Sequence, residues 1–187
     1  MSELDTTTLN SLRKMFTYYK SLGEKAIEQV NDEQLFWQPS PEGNSIAILV
    51  KHLWGNMRSR FTDFLTSDGE KENRHRDTEF EIEMAHRMII LEYWEKGWKI
   101  FFDALDGLEA ADLSRTIYIR NEGHQVIEAL HRQLGHYAYH IGQMVLLAKT
   151  VAGDDWTSLS IPKGKSEMFN KGKFSQEKSN KHFSDEK

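Results

Sequence analysis

Apolar residues recur at intervals of three and four positions along four long stretches of the chain. Residues with that spacing share one side of an α-helix, so each stretch predicts an amphipathic helix. The predicted helices run from Leu4 to Val30, from Ile46 to about Thr66, from about Thr78 to Leu105, and from about Glu122 to Val151. Ser45 stands directly before the second helix and is suited to cap its N-terminus.

The connections between these helices carry residues that interrupt helical structure. The first contains two prolines, the second contains Gly69 within a dense run of charges, and the third contains the alternating segment Thr116–Arg120, which predicts a short extended piece. Four helices joined in this way are typical of a bundle. We therefore predict an all-α fold, a four-helix bundle over residues 1–162, followed by a basic, polar and partly flexible tail over residues 163–187.

The charge of the chain is unevenly distributed. Seven lysines and four acidic residues give residues 163–187 a net charge of +3, so the remaining 162 residues carry −8 of the total of −5. An acidic body argues against nucleic acid as the main ligand. We expect a small-molecule substrate instead, and we expect the tail to be solvated.

The chain contains no cysteine. This composition excludes disulfides, cysteine-type zinc sites and a cysteine nucleophile within the chain, and it fits a reducing cytoplasm. The N-terminal residues lack the apolar segment of a signal peptide, and no apolar run is long enough to span a membrane. We therefore expect a cytoplasmic protein without a membrane partner.

Three of the eight histidines form a candidate metal site. His136 and His140 stand four residues apart on the predicted fourth helix, which places both imidazoles on one side, within reach of a single ion. His52 is the best third ligand, because it lies in the apolar start of the second helix, where an unpaired imidazole would be costly to bury.

Polar residues accompany these histidines on both helices. Asn56, Ser59 and Asp63 follow His52 in the second helix, and Gln133 and Gln143 flank the histidine pair in the fourth. A metal ion, together with the groups that orient its ligands, would explain why two polar stripes face each other inside a bundle. The alternative stays open, because histidine pairs at this spacing also arise by chance and a core histidine is often satisfied by hydrogen bonds.

Three histidine ligands would leave part of the coordination sphere open, which favours catalysis or substrate binding over a structural role. Candidates to orient a substrate or relay protons are Asn56, Asp63 and Gln143, with Asn56 and Gln143 favoured. Arg60 and Tyr137 could serve the same purpose, but they could equally be a surface charge and a core ring.

Two segments carry a resemblance to a known family. KHLWGNMRSRFTDFLTSDGEK, beginning at Lys51, and QLGHYAYHIGQMVLLAK, beginning at Gln133, resemble the DinB/YfiT-like superfamily. The terminal SLSIPKGKSEMFN narrows the resemblance to a branch of unassigned function found in bacilli and their relatives. The resemblance extends from about residue 4 to residue 170.

The resemblance implies an up-down-down-up bundle that often forms a homodimer. It implies a divalent metal, Zn or Ni first and Mn or Fe as alternatives, held by His52, His136 and His140. Some members transfer a low-molecular-weight thiol such as bacillithiol to an electrophile, and others are described as metal-dependent hydrolases. A metal-dependent thiol transferase is therefore the first expectation, with a hydrolase and a non-enzymatic, stress-related metal-binding module as alternatives.

Overall fold

Helices make up most of the computed structural model, which describes residues 3–81 and 86–185. The helices are α1 Glu3–Glu28, α2 Asp32–Phe36, α3 Ile46–Phe61, α4 Arg87–Asp106, α5 Val126–Ala152 and α6 Ser166–Phe174. Single 3₁₀ turns lie at Asp77–Phe80, Ala110–Ser114 and Gly153–Asp155, and two short strands are β1 Thr116–Ile119 and β2 Glu122–Gln125. Among the described residues, no helix has the length and apolar character needed to cross a membrane.

Three predicted helix ends were wrong. The second predicted helix, α3, stops at Phe61 rather than Thr66, because Thr62 turns to extended backbone and Asp63 adopts a positive φ of 51°. The third, α4, begins at Arg87 rather than Thr78, since His86 caps it by accepting a hydrogen bond from the amide of Met88. Part of that predicted helical segment, residues 82–85, lies outside the described residues.

The third wrong end precedes α5, which begins at Val126 rather than Glu122. The four residues before Val126 form β2 and pair antiparallel with β1, which confirms the predicted extended segment. Arg120 and Asn121 join the strands with φ angles of 57° and 62°, as a tight hairpin turn requires. The Asp68 carboxylate accepts hydrogen bonds from both of their amides at 2.9 Å, so the hairpin is fixed against the connection between α3 and α4.

The four long helices enclose an aromatic core. α3 packs against α4, α1 packs against α5, and α3 also contacts α5. Phe16, Trp98, Phe101 and Tyr137 are fully buried, with the rings of Phe16 and Phe101 4.4 Å apart and those of Trp98 and Tyr137 5.3 Å apart. Tyr137 is therefore a core ring. This rigid aromatic packing fixes α5, the helix that carries two of the candidate ligands.

The C-terminal segment is mostly exposed, and α6 buries none of its residues. Its end nevertheless returns to α1. Lys14 forms an ion pair with Asp185 at 2.9 Å, and the rings of Tyr18 and Phe183 meet edge to face at 5.1 Å. The tail is thus solvated, as its composition predicts, but it is anchored at its far end.

Candidate metal centre

The structure brings the three predicted ligands together between α3 and α5. The Nε2 atoms of His52 and His136 are 3.2 Å apart, and those of His136 and His140 are 3.0 Å apart. Two imidazole nitrogens on one tetrahedral zinc ion stand about 3.3 Å apart, given Zn–N bonds of about 2.05 Å. All three ligand atoms lie within 4.8 Å of one another and form a group that could hold a metal ion.

The outward ring nitrogens of two histidines are held by oxygen acceptors. His52 Nδ1 donates to Glu79 Oε2 at 2.8 Å, and His140 Nδ1 donates to Gln143 Oε1 at 3.1 Å. A proton fixed on Nδ1 leaves the Nε2 lone pair directed toward the other histidines, which is how metal-binding histidines are commonly oriented. The predicted candidate Gln143 therefore lies where it orients a ligand.

His136 has a different partner on its outward nitrogen. The Gln133 amide nitrogen lies 3.0 Å from His136 Nδ1 and 2.8 Å from Asn56 Oδ1, to which it donates. Asn56 and Gln133 are both buried. The predicted candidate Asn56 therefore does not contact a histidine nitrogen directly. It fixes the Gln133 amide, which does.

Glu79 is a site residue that the sequence did not reveal. Its buried carboxylate accepts two hydrogen bonds from Arg74, from Nε to Oε1 at 2.8 Å and from Nη2 to Oε2 at 3.0 Å. Burial alone would raise the pKa of Glu79, but the hydrogen bonds from His52 and Arg74 outweigh it, so the net shift is downward. The carboxylate therefore stays ionised and keeps accepting the proton of His52.

This carboxylate lies directly against the backbone of α3. A Cβ atom added to Gly55 would stand 2.2 Å from Glu79 Oε1 and 2.6 Å from Cδ. Any side chain at position 55 would therefore push the carboxylate away from His52. The need for close approach explains a glycine within a helix, where it costs about 1 kcal/mol relative to alanine.

Burial and the neighbouring rings keep His136 and His140 neutral. Burial, followed by the proximity of His140 and His52, lowers the pKa of His136 to about 3. Burial also lowers the pKa of His140 to about 4, although its bond to Gln143 opposes the shift. Because metals bind neutral imidazole, both nitrogens are available as ligands at neutral pH.

The three histidines line a cavity of about 470 Å³. Phe80 covers one side, with its ring stacked on His52 at 4.9 Å. Five arginines contribute to the walls: Arg60, Arg74, Arg76, Arg120 and Arg132. Arg60, which the sequence left open between a surface charge and a functional group, therefore lies at the site, and the other four were not predicted.

Asp63, the third catalytic candidate, lies elsewhere. It is exposed in the turn after α3 and lines a separate depression with Phe64 and Gly107. The predicted polar stripe placed it near the histidines only because the helix was expected to continue through it.

The remaining histidines do not belong to the group of three that could hold a metal ion. His75, His86 and His131 are exposed, and His182 contacts Ser184 in the tail. His124 is half-buried on β2.

A family model described as "Protein of unknown function (DUF1572)" matches residues 3–165. The chain belongs to the DUF1572 family. That match includes all three histidines as well as Glu79. No curated protein matches the chain.

The lowered pKa values predict that acid destabilises the metal-free DUF1572 protein. Below about pH 6.5 the unfolded histidines take up protons, whereas folded His136 and His140 stay neutral to about pH 3 and pH 4. Together the two groups should therefore lower the free energy of unfolding by about 4 kcal/mol between pH 7 and pH 5. Urea denaturation in the presence of a chelator measures this change. A His136→Gln/His140→Gln variant should show a flatter pH dependence, and equal slopes would contradict the prediction.

Proposed function

We propose that this protein is a metal-dependent enzyme built on a DinB/YfiT-like four-helix bundle, with one divalent ion held by His52, His136 and His140. The observation that carries the proposal is the convergence of three imidazole Nε2 atoms at the wall of a cavity. Zn or Ni is the expected ion, with Mn or Fe as alternatives, because imidazole suits several divalent metals. A cytoplasmic location and a homodimer stay predictions from the sequence.

An open coordination sphere supports catalysis. Among the described residues, no fourth histidine or carboxylate joins the three histidines. Glu79 is close, but its carboxylate is engaged by Arg74 and by the outward nitrogen of His52. Structural zinc sites usually have four protein ligands, so a set of three favours a site where substrate or water completes the sphere.

Side chains around the ligands would set their orientation. Glu79 and Gln143 accept protons from the outward nitrogens of His52 and His140. His136 requires an acceptor of the same kind, which Gln133 supplies when its amide presents Oε1. Asn56 would then donate to that oxygen from its own amide nitrogen, so we assign Asn56 and Gln133 as positioning residues.

The bound ion would lower the pKa of a coordinated thiol or water and so supply a nucleophile. We favour transfer of a low-molecular-weight thiol to an electrophile. The chain has no cysteine of its own, so the sulfur would come from a small molecule that enters the cavity. The resemblance includes proteins that carry out this transfer, and a hydrolase is the alternative that the same resemblance offers.

The test adds a bacterial thiol and a chromogenic electrophile to metal-loaded protein. Conjugate should form faster than in the absence of protein, and His140→Ala should reduce the rate to background. His131→Ala is the matched control, since this exposed histidine lies on the same helix away from the site. Ester cleavage without thiol, abolished by chelation, would instead identify a hydrolase. Metal binding without either reaction would favour the non-enzymatic module.

A further inference from the structure

The cavity wall concentrates positive charge beside the histidines. Of its five arginines, two are neutralised by acidic residues: Arg74 pairs with Glu79 and Glu70, and Arg120 approaches Glu70 at 3.4 Å. The other three, Arg60, Arg76 and Arg132, have no ion pair among the described residues. An acidic protein has thus placed three uncompensated cations around one cavity.

Arg60 is the most informative of the three. Its Nη1 atom is buried and has no hydrogen-bond partner within the described part of the chain. Burial, followed by repulsion from Arg132 and Arg74, lowers the pKa of Arg60. A buried donor without a partner destabilises the folded protein, and more so when it is charged. An anion bound in the cavity would satisfy that donor and relieve the repulsion.

Helix geometry places two of these cations on the same side of the histidine cluster. His52, Asn56 and Arg60 recur at intervals of four on α3, and Arg132 precedes His136 by four on α5. Successive members therefore lie about 6 Å apart along each axis. A hydrogen bond from Gln133 to Asn56 joins the two helices. Arg60 and Arg132 lie on the side of this bond that faces away from the histidine nitrogens.

Arg76 stands on another wall of the same cavity. Its guanidinium lies over the Phe80 ring at 5.0 Å, and Phe80 in turn stacks on His52. Stacking on an aromatic ring fixes the plane of a guanidinium and leaves its N–H groups free to donate.

We propose that the cavity binds a small oxyanion carrying at least two negative charges, whose negatively charged oxygens pair with Arg60, Arg132 and Arg76. This inference rests on the proposed function, since the anion would be the part of the substrate that positions the rest at the histidines. Guanidinium groups match phosphate and carboxylate oxygens alike, so a phosphate monoester and a dicarboxylate share the required chemistry. A cavity of about 470 Å³ fits a small molecule, and the net charge of −5 opposes a long polyanion.

Calorimetry with inorganic phosphate, malonate and neutral malonamide tests the proposal on metal-free and metal-loaded protein. We expect the two anions to bind both forms and malonamide to bind neither. Arg132→Gln should weaken anion binding by about tenfold or more. Arg115→Gln is the matched control, since Arg115 is half-exposed and pairs with Asp112 outside the cavity. Stronger binding of phosphate than malonate identifies a phosphate ligand, and the reverse identifies a carboxylate ligand.

Two further variants separate this proposal from the metal site. His136→Ala should lose metal while still binding the anions, and Arg132→Gln should keep its metal content. Wild-type protein that binds the anions but takes up no metal on reconstitution would therefore refute the metal centre alone. Unchanged anion affinity in both Arg132→Gln and Arg60→Met would overturn the anion site, as would tighter binding of a short DNA duplex than of either small anion at physiological salt.

Discussion

His136→Ala should lower the affinity for Zn²⁺ or Ni²⁺ by at least about 100-fold and leave purified protein without stoichiometric metal. His136 is the central ligand, since its Nε2 atom stands 3.2 Å from that of His52 and 3.0 Å from that of His140. Its removal leaves only two of the three ligand nitrogens, those of His52 and His140. Loss of a mere orienting group already costs about 10–100-fold in affinity, so loss of a ligand should cost more. Elemental analysis of tag-free protein after reconstitution measures the metal content.

The control for this experiment is His131→Ala, which removes an exposed imidazole from the same helix. That variant should keep one ion per chain. Wild-type protein without stoichiometric metal after reconstitution with Zn, Ni, Mn or Fe would refute the metal centre. Full metal content in His136→Ala would instead show that the ion binds elsewhere.

Arg74→Met should lower the free energy of unfolding by about 3–5 kcal/mol. The side chains of Arg74 and Glu79 are only 5% and 7% exposed, so removing the guanidinium leaves a buried carboxylate without its bidentate partner. The carboxylate would keep only its hydrogen bond from His52 Nδ1, so the ring of this ligand would be held less firmly. Metal affinity should fall together with stability. Urea denaturation and metal titration measure the two effects.

A second substitution distinguishes the broken ion pair from general damage. Arg74→Met/Glu79→Leu removes both charges and should recover part of the lost stability, because no buried charge is left unpaired. Arg115→Met, which breaks an exposed pair with Asp112, should change stability by less than about 1 kcal/mol. A loss below about 1 kcal/mol for Arg74→Met would show that the buried pair contributes little.

The ligand set could be predicted because helical periodicity converts sequence spacing into spatial proximity. His136 and His140 share one side of α5 by their spacing alone. His52 was found because an imidazole in an apolar helix needs a partner. Asn56 and Gln143 followed from the same periodicity, and the structure places both beside the histidines.

The residues that support the ligands could not be predicted in the same way. Arg74 and Arg76 belong to an aperiodic, highly charged connection whose composition indicates a solvated loop, and Glu79 fell within the predicted third helix. The side chains of Arg74 and Glu79 are buried through tertiary contacts, namely the ion pair between them and the hydrogen bond from His52. Helix ends depend on comparably local hydrogen bonds, which is why the predicted limits at Thr66 and Thr78 were wrong.

The close approach of Gly55 to Glu79 also constrains how the family can diverge. In any DUF1572 chain that keeps this backbone, a side chain at position 55 would force a carboxylate at position 79 to leave its place against α3. The two positions should therefore change together during evolution, and a lineage that gains alanine at 55 should also lose the carboxylate that orients His52. Such a pair of substitutions would identify relatives that have lost the histidine centre.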